Sequence, residues 1–210
     1  MINKRILDLA VESNLVPSLY FLEWDISSEI QFRIVTQVMK VKKNHTFLDI
    51  GCGGLRLGHL LIPILNDNKY FGIDAFLPYL NFGKKLLKKD KIFKKHKLYH
   101  SEKLDFDYFK IKFDFAFAHS VLGHLSKGQV IKLFNNLKKN MKKNGYFYAT
   151  INFGWWSQQN IGFLYEGITP MNHPVYKDIN VYKKISKELN LTFEEVDFKH
   201  PSQKLVRFKF

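Results

Sequence analysis

The sequence predicts an α/β fold built on a doubly wound, mostly parallel sheet, and three features carry that reading. Short apolar runs at 46–50, 69–74 and 113–118 have the make-up of strands buried on both faces. They alternate with stretches whose apolar residues recur at three- and four-residue spacing, the pattern of amphipathic helices. The first run leads through Asp49-Ile50-Gly51-Cys52-Gly53-Gly54 into a helical pattern at Leu57, Leu60, Leu61, Ile64 and Leu65. Glycines at such a turn let the chain reverse tightly and let a ligand approach where a Cβ would clash. The helix start beyond it offers unpaired N–H groups.

The details of the turn narrow its ligand. Gly51 and Gly53 fit the start of a dinucleotide fingerprint, but Arg56 stands where the third glycine belongs. No G-x-x-x-x-G-K-[ST] occurs, which excludes a P-loop. Asp49 would repel a pyrophosphate, yet it suits the ammonium of a cofactor that carries an amino acid. That favours S-adenosylmethionine over NAD. Asp74, at the end of Lys69-Tyr70-Phe71-Gly72-Ile73-Asp74, lies 25 residues further on, about where a second-strand carboxylate takes a ribose diol.

Asp49-Ile-Gly-Cys-Gly53, Gly72-Ile-Asp74 and Phe113-Asp-Phe-Ala-Phe-Ala-His-Ser-Val-Leu-Gly-His-Leu125 occur in this order. They resemble the first, second and fourth motifs of class I S-adenosylmethionine-dependent methyltransferases, of the small-molecule type. The resemblance runs from about Phe47 to Phe210. It implies a Rossmann-like, seven-stranded sheet closed by a C-terminal antiparallel hairpin. It implies S-adenosylmethionine as methyl donor and S-adenosylhomocysteine as product.

The same resemblance assigns roles along the chain. Asp49 is expected to hold the methionine ammonium, with Gly51, Cys52, Gly53 and Gly54 as a main-chain wall. Arg56 is a candidate for the cofactor carboxylate, although a cation at a helix start opposes the dipole and needs a partner. Asp74 is expected on the ribose, Ala75, Phe76, Glu102 and Leu104 around the adenine, and Ala118, His119 and Ser120 at the transfer site. Residues 1–44 read as a helical lid, in which Tyr20, Phe21 and Trp24 either cover the cofactor or pack on the sheet. The Asn/Asp-Pro-Pro-Tyr of N6-adenine methyltransferases is absent after the fourth strand, which argues against methylation of DNA bases.

Composition sets further bounds. A chain of 210 residues with 46% hydrophobic content fits one globular domain, 1–210. A single cysteine makes neither a disulfide nor a metal cluster, so metal-independent transfer is expected. The start lacks a secretory apolar core and no uncharged run is long enough to span a membrane, so a cytoplasmic enzyme is the expectation. The net charge of +14 suggests nucleic acid, but only four of the 33 basic residues are arginines, the side chain suited to bidentate recognition. Eight lysines between Lys84 and Lys97 read as a solvated face. A small-molecule acceptor is therefore favoured, with an RNA methyltransferase or a non-enzymatic relative as alternatives.

Later elements complete the reading. Helices are expected over 77–89 and 181–189, strands over 97–100, 146–151, 192–198 and 204–210. Ser126 and Gln129 form a capping box for a helix whose end is predicted at Asn144-Gly145. The segment 152–177, rich in aromatic and polar residues, is the expected acceptor-binding insertion. An oxygen nucleophile needs a base, and His124, His173 and His200 are the candidates, the last in a His-Pro-x-x-Gln stretch. O-methylation of a sugar or phosphorylated metabolite is the favoured reaction.

Overall fold

The computed structural model of the protein describes residues 3–16, 18–152 and 178–210. Seven strands form one mixed sheet in the order β3-β2-β1-β4-β5-β7-β6. They are β1 (Phe47–Ile50), β2 (Tyr70–Asp74), β3 (Lys97–His100), β4 (Phe113–Ala118), β5 (Met141–Asn152), β6 (Thr192–Val196) and β7 (Gln203–Lys209). The helices are α1 (Lys4–Glu12), α2 (Leu19–Leu22), α3 (Trp24–Arg33), α4 (Gly58–Leu61), α5 (Leu77–Lys89), α6 (Lys127–Asn140) and α7 (Ile179–Glu188). The fold class is the expected one. The chain divides into two units, Met1–Glu102 and Lys103–Phe210.

In the first unit β1 pairs in parallel with β2, and β2 with β3, with Asp49 opposite Gly72. Every residue of β1 is buried, Asp49 included, as expected of a strand covered on both faces of a parallel sheet. α1, α2 and the start of α3 pack on α5 through Ile6, Leu9, Phe21, Trp24, Phe82 and Leu86. Phe21 and Trp24 are thus core residues of this layer rather than a mobile cover. Lys89 on α5 pairs with Glu12 at the end of α1, 2.8 Å away. The helix expected after the glycine turn is a single turn, α4, because Pro63 cannot continue it. Ile64, read as part of its apolar stripe, is 45% exposed.

In the second unit β4 pairs in parallel with β5, and β5 and β6 flank β7 in antiparallel fashion. The capping box of α6 is present: Gln129 N–H donates to Ser126 Oγ at 3.3 Å, and Ser126 N–H donates to Gln129 Oε1 at 2.8 Å. The end of that helix differs from expectation. α6 stops at Asn140, Met141 is already extended, and Asn144-Gly145 lies inside β5 rather than at a helix C-cap. The β4–β5 register shifts between Phe113 and Phe115 to absorb the extra residues. Gly145 is required there because a Cβ would stand 2.9 Å from the Phe113 carbonyl oxygen.

Candidate cofactor and acceptor sites

Two carboxylates, one buried and one half-buried, flank the glycine turn of the first unit. Asp49, 3% exposed, accepts the Tyr70 hydroxyl proton at 2.5 Å. Burial disfavours its charged form and the neighbouring Asp74 adds to that, while the Tyr70 bond opposes both; the carboxyl is pushed up to about 7. Asp74 accepts the Gly53 N–H at 2.7 Å on one oxygen and the Phe76 N–H at 2.8 Å on the other. Burial raises its pKa too, and these N–H bonds act against the rise.

The turn between them is held from both sides. Gly51 and Gly53 take φ of 70° and 54°, the left-handed region that favours glycine. The N–H groups of Gly51 and Cys52 both donate to the Ile73 carbonyl, at 2.8 and 3.1 Å, which fastens the turn to β2. From the other side Tyr20 reaches in from α2. Its hydroxyl accepts the Gly54 N–H at 2.7 Å, and a Cβ on Gly53 would lie 2.6 Å from that oxygen. The Tyr20 ring stacks on Tyr79 at 4.5 Å and lies under the Arg56 guanidinium, 3.7 Å from the ring centroid. Arg56 also donates to the Tyr20 carbonyl, so the cation at this helix start has the partner it requires.

The other expected residues of this unit have these places. Cys52 is buried, and burial pushes its thiol pKa up, with Asp49 and Asp74 adding, so it is no nucleophile. The Ala75 carbonyl lies 2.9 Å from His100 Nε2, and the Phe76 ring meets Tyr79 edge-on at 4.8 Å. Glu102 is exposed and is the last residue of the unit. The aromatic stretch 19–24 marked Tyr20 in the sequence, but nothing local could say that its hydroxyl caps the turn.

In the second unit Ala118 is buried at the end of β4, and the next two residues leave the strand sharply. Ser120 sits at φ 58°, a strained value for a side chain other than glycine. Its N–H donates to Thr150 Oγ1 at 2.8 Å, and the Gln203 amide donates to its Oγ at 2.5 Å. The N–H groups of Ser202 and Gln203 both point at His200 Nδ1, at 3.2 Å each. Nδ1 therefore holds a lone pair and the ring proton of His200 sits on Nε2. That proton is directed to His119 Nε2 at 3.2 Å, which leaves the His119 proton on Nδ1, 3.3 Å from Ser120 Oγ. Burial lowers the pKa of His200, in keeping with a neutral ring.

Sequence reading thus placed His119, Ser120 and His200 in the site separately, and the structure joins them. It gave no site role to Thr150 or Gln203, which lie on the paired strands β5 and β7. Leu104, at φ 52°, is occupied at its carbonyl by the Asn136 amide at 2.7 Å. His124 is exposed in the short 3-10 turn Leu122–His124. His173 and residues 153–177 of the expected acceptor-binding segment lie outside the described residues. Among the described residues, no group of three or more His, Cys, Asp or Glu is placed to hold a metal ion. No helix among them is long and apolar enough to cross a membrane.

Residues 48–147 match the family model described as a methyltransferase domain. A search of curated proteins gives no match. Among solved structures, the chain is similar to an S-adenosylmethionine-dependent methyltransferase from Clostridium acetobutylicum, at 15% identity and a TM-score of 0.66 over 98% of this chain and 96% of that one. Magnesium protoporphyrin IX methyltransferase from Synechocystis, with bound S-adenosylhomocysteine, gives 13% identity and 0.65 over 99% and 94%. The methyltransferase domain of bacterial CtHen1 gives 17% and 0.62 over 87% and 98%. Residues 48–147 are thus similar to a methyltransferase domain, and the chain shares the Rossmann-like fold of these solved structures.

Proposed function

We propose that residues 1–210 act as one cytoplasmic methyltransferase domain that moves a methyl group from S-adenosylmethionine to a small polar acceptor, with a hydroxyl oxygen as nucleophile. The observation that carries this reading is the pair of carboxylates, buried Asp49 and half-buried Asp74, at the ends of adjacent parallel strands around a left-handed glycine turn. Asp49 neutralises an ammonium, Gly51 to Gly54 form the wall against the amino-acid moiety, and Asp74 with Ala75 and Phe76 takes the ribose and adenine side. Glu102 and Leu104 complete the adenine surroundings, and Arg56 faces the carboxylate. Ala118 to Ser120 serve the transfer end.

Bound there, the cofactor supplies a sulfonium methyl for in-line displacement. The chain's part is alignment of donor and nucleophile, the largest contribution available to a transfer of this kind. The acceptor's proton passes to His124, in the 3-10 turn Leu122–His124 beyond the end of β4; both ring nitrogens of His200 are already engaged within the second unit. Calorimetry tests the reading: S-adenosylmethionine and S-adenosylhomocysteine bind, NAD and NADP do not. Binding of a nicotinamide cofactor alone would overturn it.

A further inference from the structure

The second unit holds one feature that the transfer reaction does not explain. Gln203 is 8% exposed, yet its side-chain oxygen has no hydrogen-bond partner among the described residues. A buried carbonyl oxygen left unpaired costs about 1–3 kcal/mol, so such an atom needs a reason. The other end of the same amide is fixed, donating to Ser120 Oγ. Ser120 Oγ in turn receives two donors, the Gln203 amide and His119 Nδ1–H. A hydroxyl that accepts twice has its own proton left to give, and accepting strengthens it as a donor.

We propose that Ser120 and Gln203 form a recognition site for an uncharged hydroxyl of the methyl acceptor, with His119 and His200 as positioning residues behind them. The proposal rests on the methyltransferase reading above and names the acceptor class. Side by side the site offers one donor, Ser120 O–H, and one acceptor, Gln203 Oε1. An alcohol matches that pair: it donates a hydrogen bond to Gln203 Oε1 and accepts one from the Ser120 hydroxyl. Its second lone pair takes the methyl group as the S–CH3 bond breaks, its proton then leaving to His124, the base proposed above. A carboxylate or phosphate would find only one donor and would face the unpaired carbonyl oxygen of Gln203. An ammonium would find no carboxylate in this network to balance its charge.

The support behind the site is rigid and neutral. Two backbone N–H groups fix the His200 tautomer, His200 fixes that of His119, and His119 aims its proton at Ser120. A second proton on His119 would have to enter the 3.2 Å gap between the two Nε2 atoms, against the proton already there. The pair therefore keeps Ser120 oriented without adding charge. The left-handed backbone at Ser120, locked by Thr150, is the strain that such an orientation costs.

The test begins by capturing the product. The full-length protein is incubated with S-adenosylmethionine carrying a 13C-labelled methyl group and a metabolite extract, and the labelled product is read by NMR. The expected product is a methyl ether. An N-methyl compound or a methyl ester overturns the proposal while leaving the methyltransferase reading standing. No S-adenosylhomocysteine binding and no transfer at all would instead overturn that reading, and this proposal with it.

With the captured alcohol as substrate, Gln203→Met is expected to raise KM by roughly tenfold or more, the effect of one lost hydrogen bond to a buried partner. Affinity for S-adenosylhomocysteine stays within twofold, about the scatter of such a measurement. Ser120→Gly, which suits the left-handed backbone, removes the donor and gives the same split should the Gln203 variant fail to fold. Unchanged KM in a folded variant would show that the Gln203 oxygen is met by a structural water only, and the proposal fails.

Discussion

The two units solve opposite problems of polarity. Around the glycine turn the polar groups are charged or chargeable, and the protein restrains them with backbone N–H groups and one tyrosine hydroxyl. At the end of β4 the groups are neutral, and side chains from four places along the chain restrain one another. In the proposed reading, charge stands where a charged cofactor is met, and a fixed donor–acceptor pattern where the acceptor is selected. The contrast also separates kinds of encoding. The first set spans Asp49 to Asp74, whereas Ser120 and Gln203 are 83 positions apart.

The sharpest way to break this division is to remove the proposed base. His124→Ala is expected to lower turnover about 100- to 10,000-fold, the usual loss for a general base. Affinity for S-adenosylhomocysteine is expected to stay level. A variant that loses cofactor binding would show that His124 belongs to the architecture and that transfer proceeds by alignment alone.

Next in size is Asp74→Ala. It frees the N–H groups of Gly53 and Phe76 and removes the proposed ribose acceptor. Calorimetry with S-adenosylhomocysteine is expected to show a loss of about 1–3 kcal/mol. Unchanged affinity would mean that this carboxylate only shapes the turn.

Asp49 gives the comparison a pH signature. Its carboxyl, pushed up to about 7 by burial, holds a proton in the folded protein that the unfolded chain, with an ordinary carboxyl near 3.8, has released. Between those values folding takes up a proton, so this group's contribution to stability falls as pH rises from about 4 to 7 and is level above. An ammonium needs the ionised form. Below pH 7 cofactor binding must therefore expel the proton, and affinity is expected to fall by about tenfold for each pH unit. Titrations between about pH 5.5 and 7.5, in buffers of different ionisation enthalpy, measure the released proton directly. The Asp49→Asn variant is expected to lose this slope. A flat profile in the wild type would show that Asp49 is not the ammonium's partner.

Legibility in the sequence follows the same division. β3, β4 and α5 fall on their expected bounds because each is defined by a local apolar pattern or a local punctuation residue. The glycine turn was legible because its glycines and carboxylates sit in one strand–turn–helix–strand unit. The end of α6 was not. Asn144-Gly145 has the composition of a C-cap, yet Gly145 is needed for close approach to β4, a contact between strands that no local rule contains. His119 and His200 each stood out, but their contact depends on the pairing of β5 with β7 and on the loop before β7. Gln203 gave no signal beyond its place in His-Pro-x-x-Gln, since an amide shows its purpose only through what its buried end lacks.

The smallest expected effect concerns Tyr20, where α2 meets the turn. Tyr20→Phe removes one hydroxyl and keeps the ring that stacks on Tyr79 and carries Arg56. The Gly54 N–H then loses its partner, a loss of about 1–2 kcal/mol in unfolding free energy measured by denaturant titration. Cofactor affinity discriminates between two roles for that hydroxyl. As a cap, it holds the turn in the same shape with and without cofactor, and affinity for S-adenosylhomocysteine moves by no more than about threefold, less than one hydrogen bond's worth. As a competitor, it occupies a donor that the cofactor must claim, and its removal raises affinity by about tenfold, near the full value of the bond. The first outcome is expected. Tyr20 is stacked, half-buried and tied to Arg56, so moving it aside would disrupt three contacts to release one N–H.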